Sequence, residues 1–254
     1  MTITTRRDGH VEVVTLSRPP SNFADLAMLE AIGAAFDAAD ADAQVRAILL
    51  RSEGRVFCAG ADLANKNPVE EGVTATRNPF YVAAARLFGV AKPVVAAVQG
   101  AAVGAGLGLA LVADFRVAST EAKFSGNFVQ LGFHPGFGIS AVLERVIGRQ
   151  RAALMLLTGR RIRAAEAEAW GLADQVVAPD ALDDAAMALA QEIASAAPLA
   201  VQSTRRTIRG DLAALVERQT DHELAEQAWL QKTADFAEGV RAVNERRPGR
   251  FTGT

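Results

Sequence analysis

The uncharged stretch from Pro93 to Asp114, PVVAAVQGAAVGAGLGLALVAD, constrains the fold of this chain more than any other segment. It has no charged side chain before its last residue, and four glycines interrupt its middle. An apolar run of this length is stable only where it is removed from water, in lipid or in a protein core. Three interpretations compete for it: a membrane span, a nucleotide-binding turn, and the wall of a ligand site.

The membrane interpretation agrees with the length of the stretch, because a transmembrane helix needs about 20 apolar residues. However, Pro93, Gln99 and the glycines disfavour a continuous helix, and the flanking segments have the patterns of a globular protein. The spacing of Gly100, Gly104 and Gly108 matches a helix-dimer face in membranes, but that motif lacks its context without a span. We therefore expect no membrane span.

The nucleotide interpretation fails on the spacing of the glycines. The dinucleotide-binding fingerprint needs glycines at its first, third and sixth places. Starting at Gly104, the sixth place is Leu109, and starting at Gly106 it is Leu111. The sequence therefore does not predict a dinucleotide site here.

The remaining interpretation is a strand, a glycine-bearing turn and a buried helix. The strand is predicted over Val94–Val98, the turn over Gly100–Gly106, and the helix from there to about Val112. Small residues in the turn let a ligand approach the backbone. The first N–H groups of the helix have no partner within it and can face that ligand with a partial positive charge.

Composition excludes several classes of protein. Half of the 254 residues are apolar, which allows a sizeable core, and the net charge is only −2. Acidic and basic residues are interspersed, so we expect neither a nucleic-acid partner nor an anionic membrane partner. The single cysteine, Cys58, excludes an internal disulfide framework and a cysteine-rich zinc site, and we expect no metal.

The first residues, MTITTRRDGHVEVVTL, have no apolar segment followed by a small-residue cleavage site. They do not have the pattern of a signal peptide. We therefore expect a cytoplasmic location.

The N-terminal part of the chain predicts a hairpin and a helix. Asp8-Gly9 favours a tight turn between strands at Ile3–Arg6 and Val11–Leu16. After the break at RPPSN, Asn22 is the predicted N-cap of a helix that runs to about Ala39.

Further along, strand patterns alternate with helical ones. Strands are predicted at Val45–Ser52, Val94–Val98 and Asp114–Ser119, which indicates an α/β fold with stacked layers. After Gly148 the pattern is mainly helical. We expect a core domain over 1–199 and a C-terminal helical region over 200–254.

A second turn of small residues, VFCAGADL at Val56–Leu63, also follows a predicted strand. Asp62 is a candidate cap for a short helix there. Each turn by itself is also consistent with a tight structural turn. Together, the two turns can supply two convergent backbone donors, which is how an oxyanion hole stabilises a thioester enolate or a tetrahedral intermediate.

Several ordered segments resemble one known family. The segments are VFCAGADL (56–63), KPVVAAVQGAAVGAGLGLALVADFRVAS (92–119), AKFSGNFVQLGFHPGFG (122–138), LTGRRIRAAEAEAWGLADQVV (157–177) and RPGRF (247–251). They resemble the enoyl-CoA hydratase/isomerase, or crotonase, superfamily from near the N-terminus to the last residues. The resemblance implies a spiral of strand-strand-helix units, a C-terminal helical trimerisation region and a homotrimer or dimer of trimers.

The resemblance also implies an acyl-CoA thioester as ligand, with no separate cofactor. Matched by position, the backbone N–H groups of Ala61 and Ala105 would bind the thioester oxygen. Relatives commonly have glycine at the second of these positions. The methyl group of Ala105 therefore reduces the space for the ligand, while the N–H remains. The implied ligand contacts are Arg18, Ala59, Gly60, Ala61, Asp62, Leu63, Gly104, Ala105, Phe128 and Arg250.

The acid and base positions of the family carry no carboxylate in this chain. The two glutamate positions of the hydratases match Gly108 and Phe128, and an acid position used by some isomerases matches Gly136. Adding water to an enoyl thioester needs a base for the water and an acid for the α-carbon, which an oxyanion hole does not supply. The standard two-glutamate hydration is therefore not expected.

His134 is the candidate replacement for the missing carboxylates. It lies two residues before Gly136 and is the single titratable residue between Lys123 and Glu144. Imidazole exchanges a proton near neutral pH, although a loop histidine bound to a carbonyl is the alternative. The polar residues Ser125, Asn127 and Gln130 can orient a water but are not strong bases, and a structural role is the alternative for them.

Other candidates have structural alternatives of the same kind. The charged loop with Glu70, Glu71 and Arg77 is consistent with a functional loop or with a solvated one. For Cys58, a buried small hydrophobe is the favoured interpretation over a nucleophile. Near the C-terminus, Arg246 and Arg247 lie in a segment that contacts the nucleotide end of the ligand in relatives.

We therefore expect an acyl-CoA-binding protein of enoyl-CoA hydratase/isomerase type in fatty-acid or related acyl-CoA metabolism. Its catalytic set would be Ala61, Ala105 and His134. Two alternatives stay open: a non-catalytic acyl-CoA carrier or regulator, and an acyl-CoA hydrolase.

Overall fold

A mixed sheet flanked by helices forms the centre of the molecule in the computed structural model, which describes residues 2–61 and 77–254. Within these ranges the larger sheet has the order β1-β2-β3-β4-β6-β9, and the smaller sheet has the order β5-β7-β8. The strands are β1 (Thr2–Asp8), β2 (Val11–Ser17), β3 (Ala47–Ser52), β4 (Val94–Val98), β5 (Ala101–Val103), β6 (Phe115–Ser119), β7 (Lys123–Ser125), β8 (Arg161–Arg163) and β9 (Gln175–Val177).

The helices cover both faces of the larger sheet and form the C-terminal region. They are α1 (Leu26–Ala41), α2 (Pro79–Leu87), α3 (Ala105–Val112), α4 (Ile139–Ile147), α5 (Arg149–Thr158), α6 (Ala164–Trp170), α7 (Leu182–Ser195), α8 (Pro198–Arg209), α9 (Leu212–Leu230) and α10 (Ala234–Asn244). Two short 3-10 helices lie at Asn127–Leu131 and Pro179–Ala181.

The alternation of side chains along each strand divides the core into two layers. On β2, Val11 and Val13 pack toward α7, whereas Val14 and Leu16 pack toward α1 and α3. The strands β2, β3, β4, β6 and β9 are mutually parallel, and β1 pairs antiparallel with β2 at the sheet edge. Parallel strands covered on both faces are nearly continuous apolar runs in the sequence, as is VVAAV in β4.

The predicted hairpin is confirmed, whereas the predicted helix cap was wrong. Asp25 caps α1, and its side chain accepts a hydrogen bond from the Met28 N–H. Asn22 is buried with a φ of 49°, and its side-chain amide donates to the carbonyl oxygens of Glu53 and Val56. The amide therefore fixes the chain after β3 instead of capping the helix.

The apolar stretch of the sequence forms the predicted strand and helix, with one addition. β4 has the predicted bounds, and α3 ends at Val112 as predicted but begins at Ala105, inside the predicted turn. Every residue of α3 is buried. Between them, the chain predicted as a turn includes a short strand, β5, which pairs with β7. No helix in the described ranges is both long and apolar enough to span a membrane.

The charged residue that ends this stretch, Asp114, ties the C-terminal region to the core. Asp114 accepts hydrogen bonds from the Val94 N–H at 2.8 Å and from Arg205 Nε at 2.8 Å. On the same helix, Arg209 donates to the carbonyl oxygen of Val112 at 2.7 Å. These contacts attach α8 to the end of α3. The division into domains 1–199 and 200–254 stays a prediction.

Candidate functional site

A cavity of about 300 Å³ lies where the two small-residue turns meet. Aromatic side chains form much of its wall, namely Phe23, Phe80, Phe128, Phe133 and Phe137. The backbone contribution comes from the turns, at Ala59, Gly60, Ala61, Gly104 and Ala105. The cavity is therefore mostly apolar, with two stretches of peptide backbone on one side, which is typical of a ligand site.

The two turns are held together by backbone hydrogen bonds. Cys58 donates to the carbonyl oxygen of Ala101 at 3.0 Å, and Val103 donates back to that of Cys58 at 3.0 Å. Gly60 has a φ of 99°, and a Cβ added to it would lie 2.9 Å from the Val103 carbonyl oxygen and 3.9 Å from the Ala105 nitrogen. A side chain at residue 60 would therefore separate the turns, which explains the glycine.

Two backbone N–H groups at this junction have no acceptor among the described residues. No described residue accepts a hydrogen bond from the N–H of Ala61 or of Ala105. Ala105 begins α3, so its N–H has no partner within the helix, and Gly104 precedes it with a φ of 52°. Both residues line the cavity, where their donors can meet an anionic or carbonyl oxygen.

Phe137 occupies the space beside Gly108. A Cβ added to Gly108 would lie 2.5 Å from Phe137 Cδ1 and 2.6 Å from Phe137 Cγ. Phe137 has a φ of 66°, and its ring packs edge-on against Phe80 at a centroid distance of 6.2 Å. An apolar ring therefore fills the place where a side chain of residue 108 would project.

A hydroxyl group occupies the corresponding space beside Gly136. A Cβ added to Gly136 would collide with the Tyr81 hydroxyl and would lie 2.8 Å from Gln227 Nε2. The Tyr81 hydroxyl donates to Gln227 Oε1 at 2.5 Å, and both side chains are buried. Tyr81 also lines the cavity, so its phenol is a polar group within a largely apolar wall.

Glu223 is a fully buried carboxylate in the layer behind this wall. It accepts hydrogen bonds from the Gly138 N–H at 2.7 Å, from the Ser140 N–H at 3.2 Å and from Ser140 Oγ at 2.5 Å. Burial raises the pKa of the Glu223 carboxyl to about 7, although these hydrogen bonds lower it. The carboxylate thus holds the first turn of α4 in place.

The structure does not bring His134 into the cavity. Its Nδ1 lies 2.8 Å from the carbonyl oxygen of Pro135, and its ring packs edge-on against His222. The residue is half-buried and is not part of the cavity wall, whereas its neighbours Phe133 and Gly136 are. The assignment of His134 as proton carrier stays a prediction.

The three polar residues near His134 in the sequence differ in their positions: one lines the cavity, and two contact the backbone elsewhere. Asn127 lines the cavity. Gln130 donates to the Thr158 carbonyl oxygen at 3.1 Å, and Ser125 Oγ lies 3.5 Å from that of Gly159. These two side chains thus connect the end of β7 and the 3-10 helix to the end of α5.

Some of the implied ligand contacts lie together in the cavity wall. Ala59, Gly60, Gly104 and Phe128 line the same cavity as the two donors. Asp62 and Leu63 lie outside the described residues, as does the loop with Glu70 and Glu71. Their roles stay predictions.

The two implied arginine contacts are not among the residues that line the cavity. Arg18 forms an ion pair with Asp25 at 2.9 Å and donates to the Phe23 carbonyl oxygen at 2.6 Å. Arg250 is exposed, and its backbone N–H donates to Glu238 at 2.9 Å. Contacts of these guanidinium groups with coenzyme A stay predictions.

Cys58 is fully buried, as expected for a structural cysteine. Burial raises the pKa of its thiol to about 11, so the thiol is protonated at neutral pH. A Cβ added to Gly106 would collide with the Cys58 carbonyl oxygen. The residue therefore belongs to the contact between the two turns, which favours the structural interpretation over that of a nucleophile.

Sequence reasoning missed Tyr81 and Gln227. They lie 146 residues apart on α2 and α9, so no local spacing connects them. The one available signal is that Tyr81 is the single tyrosine of the chain. Within residues 2–61 and 77–254, no group of three or more His, Cys, Asp or Glu residues is arranged to hold a metal ion.

Comparisons with known proteins show the family to which the chain belongs. The family model described as enoyl-CoA hydratase/isomerase matches residues 6–254. The (E)-benzylidenesuccinyl-CoA hydratase of Thauera aromatica is 36% identical over 267 residues, covering 100% of both chains. The 1,2-epoxyphenylacetyl-CoA isomerase of Escherichia coli (strain K12) is 35% identical over 259 residues, covering 96% of this chain and 97% of the relative.

A solved structure confirms the expected fold. The crystal structure of an enoyl-CoA hydratase/isomerase from Pseudoalteromonas atlantica T6c superposes with a TM-score of 0.88 at 30% identity. The superposition covers 99% of this chain and 100% of that chain. The chain described here belongs to the enoyl-CoA hydratase/isomerase family and has the crotonase fold.

Proposed function

We propose that the cavity binds an acyl-CoA thioester and that the backbone N–H groups of Ala61 and Ala105 polarise its carbonyl group. The observation that carries the proposal is the pair of N–H groups without a described acceptor at the edge of one apolar cavity. Two such donors stabilise the negative charge that develops on a thioester oxygen when the α-carbon becomes enolate-like. The proposed activity is of the hydratase or isomerase type.

The position of Ala105 supports a fixed donor. α3 is buried along its whole length, and Gly108 donates to the Gly104 carbonyl oxygen at 3.0 Å. A donor on a buried helix needs little reorganisation when charge develops on the ligand, and this is the condition for strong electrostatic stabilisation.

The wall of the cavity supports an aryl-bearing acyl group. Phe80 and Phe137 pack edge-on at 6.2 Å, and Phe128 and Phe133 also line the cavity. Aromatic side chains pack well against a ligand ring in edge-on and offset geometries. The two relatives named above act on benzylidenesuccinyl-CoA and epoxyphenylacetyl-CoA, which also carry a phenyl group.

A second candidate is a non-catalytic acyl-CoA carrier or regulator. Among the described residues, no Asp, Glu or His side chain lines the cavity. A hydratase needs groups that move protons, so this observation favours binding without turnover. Measuring ligand binding and turnover in the same samples distinguishes the two candidates.

A homotrimer or dimer of trimers remains our proposal for the assembly. Large apolar side chains are exposed on the helices of the second half of the chain, including Leu157, Leu199, Ile208 and Trp229. Exposed apolar surface of this kind is typical of contacts between subunits.

The proposal is tested by titrating the protein with phenylacetyl-CoA and crotonyl-CoA. Calorimetry measures binding, and the loss of enoyl absorbance measures hydration of crotonyl-CoA in the same samples. Binding with loss of enoyl absorbance supports a hydratase, whereas binding without it favours the carrier over a hydratase. If neither ligand binds, the acyl-CoA proposal is wrong.

Ala105→Pro tests the donor itself. Proline is tolerated at the first position of a helix, and it removes the N–H. Glycine at 104 can adopt the mirror-image extended conformation before proline, as its φ of 52° and ψ of −117° already show. We expect affinity to fall by roughly tenfold, and turnover by about a hundredfold or more if the protein is an enzyme.

Ala234→Pro is the matched control. It makes the same change at the first position of α10, after the extended N-cap Thr233. We expect it to bind phenylacetyl-CoA as the wild type does. A folded Ala105→Pro variant with unchanged affinity would contradict the assignment of this donor.

A further inference from the structure

Tyr81 places a single phenolic oxygen in the wall of the apolar cavity. The residue lies in the first turn of α2, is only 5% exposed and packs edge-on against Phe80 at 5.7 Å. These contacts fix the ring, so its oxygen has a defined position in the wall. What that oxygen can bind depends on where its proton points.

The orientation of Gln227 determines the direction of that proton. Gln227 is fully buried, and its Nε2 donates to the carbonyl oxygens of His134 at 2.9 Å and Pro135 at 3.3 Å. An amide oxygen in that place would face two carbonyl oxygens, so the amide has one favourable orientation. Its Oε1 therefore faces Tyr81 and can only accept.

Because Oε1 only accepts, the Tyr81 hydroxyl must donate to it, which it does at 2.5 Å. The Tyr81 hydroxyl therefore uses its single proton in the hydrogen bond to Gln227 and cannot donate to a ligand. Burial and the nearby Glu223 raise the pKa of the Tyr81 hydroxyl, so the phenol stays neutral. An amide oxygen does not take up the proton, so this pair is not a proton relay. The remaining capacity of the Tyr81 oxygen is to accept one hydrogen bond.

Gly136 leaves the space that this arrangement needs. A Cβ at residue 136 would collide with the Tyr81 hydroxyl and lie 2.8 Å from Gln227 Nε2. Gly136 and Tyr81 both line the cavity. Because residue 136 has no side chain, the Tyr81 oxygen on α2 can occupy this part of the wall.

We infer that the Tyr81 oxygen accepts a hydrogen bond from an O–H group in the cavity, either a hydroxyl carried by the acyl group or a water molecule beside it. Gln227 is the positioning residue, because it keeps Tyr81 an acceptor. The inference rests on the proposed function, since it takes this cavity to be the acyl site. The inference adds to the proposed function a preference for a ligand or water O–H group beside the Tyr81 oxygen.

Matched ligand pairs test the inference with Tyr81→Phe, which keeps the ring and removes the oxygen. One pair is butyryl-CoA and 3-hydroxybutyryl-CoA, and the other is phenylacetyl-CoA and (4-hydroxyphenyl)acetyl-CoA. If the ligand supplies the O–H, the variant loses affinity for at least one hydroxylated member by roughly threefold to tenfold. Its affinity for the member without the hydroxyl stays unchanged.

If water supplies the O–H, Tyr81→Phe leaves all four affinities unchanged. It then lowers kcat for crotonyl-CoA by about tenfold at an unchanged KM. Unchanged affinities together with unchanged turnover, including the absence of any turnover in the wild type, overturn the inference. Equal weakening of both members of each pair also overturns it, because that pattern reports a change in packing.

Gln227→Met tests the positioning role. This variant frees the Tyr81 proton, so Tyr81 can also donate, for example to the 3-oxo group of acetoacetyl-CoA. We expect the ratio of affinities for 3-hydroxybutyryl-CoA and acetoacetyl-CoA to shift toward acetoacetyl-CoA by about threefold or more. An unchanged ratio in the folded variant contradicts the role of Gln227.

The wild-type titration separates failure of this inference from failure of the proposed function. If the wild type binds neither butyryl-CoA nor phenylacetyl-CoA, the acyl-CoA proposal fails, and the inference fails with it. If it binds both, and Tyr81→Phe alters neither hydroxyl preference nor turnover, the inference alone fails.

Discussion

The ring of Phe137 lies in the space into which a side chain on Gly108 would project, with Cδ1 2.5 Å from the position of a Cβ. The contact also involves the Phe137 Cβ, at 2.8 Å, so rotation of the ring does not relieve it. A glutamate at residue 108 is therefore incompatible with this position of Phe137. The glycine at 108 and the placement of the phenylalanine are therefore two aspects of one packing arrangement.

We predict that Gly108→Ala destabilises the protein, although alanine is normally the better helix former. Overpacking of a buried site costs about 1–3 kcal/mol, whereas the gain in helix propensity is about 1 kcal/mol. Urea denaturation measures the difference in the free energy of unfolding.

The matched experiment is the double variant Gly108→Ala/Phe137→Ala. We expect the alanine at 108 to be tolerated once the ring is removed, with a coupling free energy of about 1 kcal/mol or more. Additive effects of the two substitutions would show that the ring and residue 108 do not compete for the same space.

His134→Ala tests the proton carrier suggested by the sequence. Because the cavity wall excludes His134 and its Nδ1 lies against the Pro135 carbonyl oxygen, we expect any turnover of crotonyl-CoA to change by less than about threefold. Steady-state kinetics provides the measurement. A fall of about a hundredfold at unchanged affinity would restore His134 to the mechanism.

Glu223 gives the stability a pH dependence. Its pKa is raised from 4.5 to about 7 in the folded protein, so the folded state binds a proton more tightly than the unfolded chain does. Its contribution to stability is complete below pH about 4.5 and is lost as the pH rises through about 7. We expect the loss to be about 1–3 kcal/mol.

The measurement is urea denaturation at several pH values between 4.5 and 8 for the wild type and Glu223→Gln. Glu217→Gln is the control on the same helix, because Glu217 is exposed and pairs with Arg77. We expect the variant at 223 to lack part of the wild-type fall in stability, and the control to retain it. Parallel pH profiles for Glu223→Gln and the wild type would exclude the role of Glu223.

Cys58 is predicted to be unreactive in the folded protein. The thiol is fully buried, and burial raises its pKa to about 11, so little thiolate is present at pH 8. A thiol-reactive disulfide reagent should therefore label the protein only after denaturation in guanidinium chloride. Rapid labelling of the native protein at pH 8 would show that the turn opens.

Local sequence patterns predicted many of the strands and helices. The strand at Val94–Val98 and the end of the helix at Val112 follow from the apolar run and its glycines, and both are confirmed. The predicted strand at Val45–Ser52 begins two residues later, at Ala47. These features depend on neighbours in the chain, which is why a sequence pattern can indicate them.

Long-range contacts explain the parts that the sequence did not predict. Asn22 has the residue type of a cap, but the carbonyl groups of Glu53 and Val56 bind its amide from more than thirty residues away. Tyr81 and Gln227 are joined only by the packing of α2 against α9. The polar part of the cavity wall thus depends on tertiary contacts.

The complete burial of α3 has a consequence for how this site can change. Ala105 is fixed by the same helix that fills the centre of the molecule, so in a folded chain its N–H, the proposed donor, is in place before any ligand arrives. The facing wall consists of side chains such as Phe128, Phe137 and Tyr81, which can be exchanged without moving that helix. Substitutions in the wall can therefore change what the cavity binds, while the proposed donor is retained with the core.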